Sequence, residues 1–192
     1  MNRVAALAFV CCALVAPLGA SAQQQDAQTA AAPAAPSRTF NDPAMSFTAP
    51  DDFTPIPMQQ HDPVNFEQPT VVAAYVKNPG RQDMVSISLS MDSFQSGVDG
   101  WEMNAENNLR TQTDGVFIKK TQTTLPNGMP AYWLEVTVGS GFDQMKSYEY
   151  VWSDGVRGIS LSIIGRYGAI SESAAKKALA NVSAVAYPKY RY

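Results

Sequence analysis

The feature that most constrains the fold is a series of short strand-like runs separated by glycine-containing turns in the second half of the chain. The turn signals are Asn127-Gly128, Gly139-Ser140-Gly141 and Asp154-Gly155. Because Asn-Gly and Asp-Gly tolerate the positive backbone angles of tight hairpin turns, runs that are neighbours in sequence should pair antiparallel. The sequence therefore predicts a four-stranded meander with strands at Val116–Leu125, Ala131–Val138, Gln144–Ser153 and Val156–Ile164.

Further strands and a proline-rich segment precede the meander. Apolar residues alternate with serines over Asp83–Met91, which places the apolar side chains on one face of a sheet. The β-branched run Thr70–Lys77 predicts a neighbouring strand, because Asn78-Pro79-Gly80 forms a turn between the two. Asp42–Pro50 predicts a short edge strand closed by a proline. Thr54–Pro69 carries four prolines that lack amide donors, and it predicts a loop.

A helix follows the alternating strand, because the apolar period changes from two residues to that of a helix. Asp99 forms a capping box with Glu102, and Val98 and Met103 stand at the staple positions that flank a helix start. The helix should end by Asp114-Gly115. Residues at helical spacing form one buried stripe: Val98, Trp101, Ala105 and Leu109.

A second helix and a short tail close the chain. Ser171 is a typical helix cap, and the helix should run to about Val182, with Ala175, Leu179 and Val182 buried. The tail from Tyr187 to Tyr192 should be loose. Together these elements predict an α+β fold in which helices pack on an antiparallel β-sheet.

The first residues of the chain have the pattern of a cleavable signal peptide. A positive start with Arg3 leads into an apolar run, which ends in the small-x-small triplet Ala20-Ser21-Ala22. Cleavage is therefore predicted between Ala22 and Gln23, and the protein is predicted to be periplasmic or secreted, without an integral membrane span after cleavage. An uncleaved membrane anchor is the alternative, and the proline and small residues at the end of the run argue against it.

Both cysteines of the chain lie inside this signal peptide, so the mature chain is predicted to have no thiol for a disulfide or a metal. Neither Cys11 nor Cys12 follows the small residues that lipidation would require. Residues 23–38 are rich in glutamine, alanine and proline and predict a disordered tether. A single folded domain is predicted over residues 39–187, followed by a loose tail at 188–192.

The charge pattern argues against two classes of partner. The chain carries 14 lysine and arginine residues against 17 aspartate and glutamate residues, and the basic residues are scattered. Without a long basic stripe, neither nucleic acid nor an anionic membrane surface is an expected partner.

Two motifs and the order of the elements carry a resemblance to a known family. The motifs are the opening Met45-Ser46-Phe47-Thr48-Ala49-Pro50-Asp51-Asp52-Phe53 and the turn Asn127-Gly128-Met129-Pro130-Ala131 that leads into the meander. With the helix between them and the closing helix, the chain from Phe40 to Tyr187 resembles the PsbP-like superfamily, which includes bacterial envelope proteins. The resemblance implies an α-β-α sandwich around an antiparallel sheet and a non-catalytic binding or assembly role, and no functional residue is carried over.

The residue types that enzymes use do not form a recognisable catalytic site. The single histidine, His61, lies in the proline-rich segment, and no Gly-x-Ser-x-Gly elbow supplies a nucleophile for it. Ser173 and Lys176 match a Ser-x-x-Lys pattern, but no Lys-Thr-Gly motif follows. Glu106 and Arg110 are spaced as an ion pair within one helix. We therefore predict no catalytic residue, no cofactor and no metal site, although a calcium site made of carboxylates alone stays open.

Aromatic side chains in two neighbouring strands are the remaining candidate site. The possible binding surface consists of Trp133, Tyr148, Tyr150 and Trp152, and the alternative is that these rings pack under a helix. The predicted function is that of a non-catalytic exported binding or accessory protein whose partner is a protein or an envelope component. Two alternatives are a small periplasmic hydrolase that uses His61, and a small-ligand carrier with an apolar pocket between helix and sheet.

Overall fold

Two antiparallel sheets and two helices make up the computed structural model, which describes residues 37–58, 70–93, 97–112 and 116–188. In chain order the elements are β1 (Thr39–Asn41), β2 (Met45–Thr48), β3 (Thr54–Ile56), β4 (Thr70–Lys77), β5 (Val85–Ser93), α1 (Gly97–Gln112), β6 (Phe117–Thr124), β7 (Pro130–Val138), a short 3-10 helix (Gly141–Asp143), β8 (Met145–Ser153), β9 (Arg157–Arg166), α2 (Glu172–Ala178) and β10 (Val182–Ala184). The large sheet has the strand order β3-β4-β5-β9-β8-β7-β6, and the small sheet has the order β1-β2-β10.

The large sheet confirms the predicted meander and the α+β fold class. Strands β6, β7, β8 and β9 pair consecutively and antiparallel, and β9 then pairs with the alternating strand β5. Gly128 and Gly155 have φ angles of 90° and 93°, which is the backbone conformation that the Asn-Gly and Asp-Gly turns were expected to need. The turn chemistry therefore decides which strands become neighbours within the meander.

One face of the large sheet packs against α1. Leu134, Val136 and Val151 form a buried cluster there with Trp101 and Ala105 of the helix, and Leu109 packs against it. The predicted apolar stripe is confirmed at these three helix positions, whereas Val98 is half-buried and lies outside the cluster. The indole N–H of Trp101 donates a hydrogen bond of 3.1 Å to the carbonyl of Ile159. The Trp101 ring therefore fixes the position of α1 above the first residues of β9.

The other face of the large sheet carries the larger core. Alternation along the strands places Trp133 and Trp152 on this face, opposite to their neighbours Leu134 and Val151. Helix α2 packs on this face through Ala175 and Leu179, beside Phe47 and Val182 of the small sheet. The large sheet is thus covered by α1 on one side and by α2 with the small sheet on the other.

The start of α1 differs from the prediction. The helix begins at Gly97, so Asp99 lies inside its first turn and cannot be the cap. The Asp99 carboxylate instead accepts a hydrogen bond of 2.8 Å from the Tyr132 hydroxyl. Met103 is 61% exposed, so the predicted hydrophobic staple is also wrong. Because the helix begins at Gly97, Val98 and Met103 both lie inside it and do not flank its N-terminus.

The proline-rich segment and the first predicted strand also need correction. Thr54–Ile56 forms β3, although Thr54–Pro69 was predicted to be a loop. Pro55 lies opposite Tyr75, and β3 is the edge strand of the sheet, where a missing amide donor is tolerated. Strand β2 was predicted to be an edge strand but lies between β1 and β10 in the small sheet.

The C-terminal region is more ordered than predicted. Ser171 caps α2 as expected, since its hydroxyl oxygen accepts a hydrogen bond of 3.3 Å from the amide of Ala174. The helix ends at Ala178, however, and Val182 belongs to β10. Tyr187 is buried, and its amide donates to the carbonyl of Asp154 at 2.9 Å, so the tail is not loose at that residue.

Several predictions concern residues outside the described ranges. They include the signal peptide, the cleavage position, the tether up to residue 36, His61 and residues 189–192. Within the described ranges, no helix combines the length and the apolar composition that crossing a membrane would require.

Candidate functional site

An open cleft lies between α2 and the large sheet. Its volume is about 600 Å³, which is within the range of small-molecule binding sites. Its walls come from the turn after β2, the adjoining ends of β4 and β5, the loop before α2, and α2 itself. The residues that line it include Ala49, Phe53, Lys77, Val85, Ile163, Ile170, Ala174, Lys177 and Ala178.

The floor of the cleft is apolar. Phe53, Val85 and Ile163 are buried and belong to the main core cluster. On the α2 side the apolar lining residues are Ala174 and Ala178, which stand four residues apart and therefore on one face of the helix. Because alanine side chains are small, this helix face leaves room beside the floor. The cleft can therefore bury an apolar group of a ligand.

The rim of the cleft is charged, and most of its charges are paired. Lys77 lies 2.7 Å from Asp52, and this hydrogen bond holds the pKa of the Asp52 carboxyl below its usual value. Asp51 pairs with Arg38. Lys177 also lines the cleft, and it forms no ion pair with any residue in the described part of the chain. The rim therefore presents one uncompensated positive charge.

The predicted aromatic surface lies in the core. Trp133 and Tyr148 stack with their ring centres 5.9 Å apart, and Tyr150 meets Trp133 edge-on at 4.7 Å. Trp152 is fully buried, and the other three side chains are at most 8% exposed. These four rings are therefore packed in the core, as the alternative interpretation expected. A binding role for them stays a prediction.

The polar groups considered as candidate catalysts have other partners. The Ser173 hydroxyl lies 3.1 Å from the Ser171 hydroxyl, and Lys176 forms an ion pair of 2.8 Å with Glu172. The predicted pair between Glu106 and Arg110 is confirmed, with a distance of 2.8 Å. Across the described ranges, no group of three or more histidine, cysteine, aspartate or glutamate side chains is placed to hold a metal ion.

Sequence reasoning missed one buried acid, Glu149. Its side chain lies on the α1 face of β8, where its cross-strand neighbours are Leu134 and Ser162. Burial raises the pKa of the Glu149 carboxyl to about 7, and the hydroxyl of Ser147 at 3.5 Å partly offsets this effect. The sequence could have indicated its position, because alternation along β8 places Glu149 on the face of the strand opposite to the rings of Tyr148 and Tyr150.

We expect the Glu149→Gln variant to be more stable than the parent protein at pH 8, by up to about 3 kcal/mol. Between the usual pKa of 4.5 and the folded-state pKa of about 7, the carboxyl binds a proton in the folded protein but not in the unfolded chain. The free energy of unfolding of the parent should therefore fall as the pH rises through this window, and the amide variant should lack this fall.

Urea unfolding of both proteins at pH 5 and pH 8 measures this difference. Glu172→Gln is the control, because Glu172 is partly exposed and paired with Lys176. The interpretation is wrong if Glu149→Gln and the parent lose the same free energy of unfolding between the two pH values.

Comparisons with known proteins reveal low-identity structural similarities. No family model matches the chain, and no curated protein matches it. A solved structure from Bacteroides thetaiotaomicron is similar at 13% sequence identity with a TM-score of 0.46, over 78% of this chain and 49% of that one, so this chain spans about half of its length. LpqN, involved in cell envelope biogenesis of Mycobacterium tuberculosis, is similar at 13% identity with a TM-score of 0.49, over 75% of this chain and 86% of that one.

Proposed function

We propose that this chain is an exported, non-catalytic binding or accessory protein, and that an envelope component occupies the cleft between α2 and the large sheet. The observation that carries the proposal is the cleft, a concave site of about 600 Å³ with an apolar floor. Concave, mostly apolar sites of this volume are typical of ligand-binding sites.

Export and family are part of the same proposal. The positive start, apolar run and Ala20-Ser21-Ala22 triplet support a cleavable signal peptide and a periplasmic or secreted location. An antiparallel sheet with α1 on one face and α2 on the other supports a PsbP-like α-β-α sandwich. In a protein of this kind the cleft would present its ligand or hold the protein against its partner.

The small-ligand carrier is the alternative that the position of the cleft favours. Such a carrier was predicted to have an apolar pocket between helix and sheet, and the cleft lies between α2 and the sheet. The hydrolase alternative depends on His61, and a loss of function in the His61→Ala variant would support it.

A photo-crosslinking residue in the cleft tests the proposed function in the intact envelope. Ala174 is the position of choice, because it lines the cleft and is exposed, and a compact diazirine side chain, much smaller than an indole, leaves the cleft open there. Met103 is the matched control, because it is exposed on α1, on the opposite side of the sheet. We expect a discrete adduct from position 174 and none from position 103.

The composition of that adduct distinguishes the two kinds of occupant. A mass increase of protein size would identify a protein partner, and a small increase would identify a small-ligand carrier. Equal labelling from both positions, or no adduct from position 174 in the exported protein, would contradict the proposal.

A further inference from the structure

We propose that the cleft binds an amphiphile with one apolar chain and an acidic headgroup, and that Lys177 holds the headgroup. This inference rests on the proposed function and names the class of ligand. Three features of the cleft carry it: the apolar floor, the pairing of the rim charges, and the volume.

The floor selects an apolar chain. Phe53, Val85 and Ile163 come from three separate parts of the chain and present carbon atoms only, while α2 adds the methyl groups of Ala174 and Ala178. The floor side chains are already shielded from water, so the apolar area that a ligand chain would cover lies on the walls, at Ile170 and the two alanines of α2. A fully polar ligand would gain nothing from this floor.

The rim selects an acidic headgroup. Both carboxylates at the rim already have a cationic partner. Asp51 pairs with Arg38, and Asp52 pairs with Lys77. Among the lysines and arginines that the structure describes, the two that form no ion pair with a carboxylate are Arg166 and Lys177. Of these two, Lys177 lines the cleft. An acidic ligand would therefore complete the charge balance of the rim.

The neighbouring Lys176 differs from Lys177 because it has a carboxylate partner. Lys176 pairs with Glu172 at 2.8 Å, and its ammonium lies 5.4 Å from the ring centre of Trp133. Lys176 and Lys177 are thus adjacent in sequence, but one is engaged by the protein and the other is available to a ligand. This pair provides a matched control for the headgroup contact.

The volume favours a ligand with one chain. A space of about 600 Å³ is in the middle of the range for small-molecule sites, and a lipid with two long chains would extend well beyond it. A single-chain carboxylic acid has both of the required parts, an apolar body and an anionic end.

Fluorescence titration of the full-length protein with a dansyl-labelled undecanoic acid tests the ligand class. The parent protein should bind the acid saturably and bind its methyl ester about fivefold more weakly, because the ester has no charge for Lys177. In Lys177→Gln the acid should bind about as weakly as the ester, whereas Lys176→Gln should keep the parent preference. Ala174→Trp should abolish binding of both probes by filling the cleft.

Ala180→Trp is the control for the added indole, since Ala180 is exposed and does not line the cleft. Equal affinity of the parent for acid and ester, or an unchanged preference in Lys177→Gln, would overturn the headgroup assignment. Failure of the parent to bind either probe would overturn the ligand class and leave the proposed function intact if crosslinking from position 174 persists. Loss of the crosslink as well would overturn both.

Discussion

The Gly158→Ala variant should have a free energy of unfolding about 3 kcal/mol below that of the parent protein, at the upper end of the usual cost of overpacking a core. A methyl group at Gly158 would lie 2.1 Å from the Cδ2 atom of Trp101. The indole cannot move aside without cost, because Trp101 is fully buried and donates its hydrogen bond to Ile159. Urea unfolding, followed by tryptophan fluorescence and by circular dichroism, measures the difference.

Two comparisons isolate the contact between Gly158 and Trp101. Gly165→Ala should cost less than about 1 kcal/mol, because the nearest atoms to its added methyl group are 3.3 Å away, in side chains of Ala169 and Val85. In a Trp101→Ala background, Gly158→Ala should cost almost nothing further, since the atoms it would meet are gone. If the two substitutions destabilise additively, the helix is not held on the sheet by this contact.

The Arg157→Leu variant should lose about 3 to 5 kcal/mol of stability. The Arg157 side chain is fully buried, and its guanidinium lies 2.5 Å from Asp42 and 2.7 Å from Asp154. These carboxylates are themselves almost fully buried, so removing the arginine leaves two buried negative charges without a cation. The same substitution also removes the cation–π contact of 4.7 Å with Tyr187.

Arg81→Gln is the matched control for this prediction. Arg81 pairs with Asp83 on the surface, where an ion pair is worth less than about 1 kcal/mol. Hydrogen exchange gives a second readout, because the amide of Tyr187 donates to the carbonyl of Asp154 and should exchange faster in Arg157→Leu. A loss of stability no larger than that of Arg81→Gln would show that the buried charges are hydrated.

The strands could be predicted from the sequence because their determinants are local. Alternation fixes which face each residue of β5 and β9 presents, and the glycine turns fix the pairing of consecutive strands from β6 to β9. The strand at Pro55 was not predicted, because proline is unfavourable inside a sheet but tolerated in an edge strand. Whether a strand lies at the edge depends on the topology of the whole sheet. The sequence does not carry that information locally.

Helix ends and the cleft were harder to predict for a related reason. The pairing of Val182 with Phe47 ends the helical region after Ala178, and this contact joins residues that are far apart in sequence. The cleft likewise combines segments around Phe53, Val85 and Ala174 that no sequence motif links. The burial of Trp133, Tyr148, Tyr150 and Trp152 also depends on how α2 packs on the sheet, and their spacing in the sequence does not contain that information.

The central claim is that the ligand of this protein occupies the cleft beside α2, and amide NMR tests it most directly. Spectra of the ¹⁵N-labelled protein would be recorded while a soluble extract of envelope components is added. If the cleft is the binding site, signals from Ala49–Phe53 and from α2 should shift, and those of α1 should stay in place. Shifts centred on α1, or a spectrum that does not change at all, would contradict it.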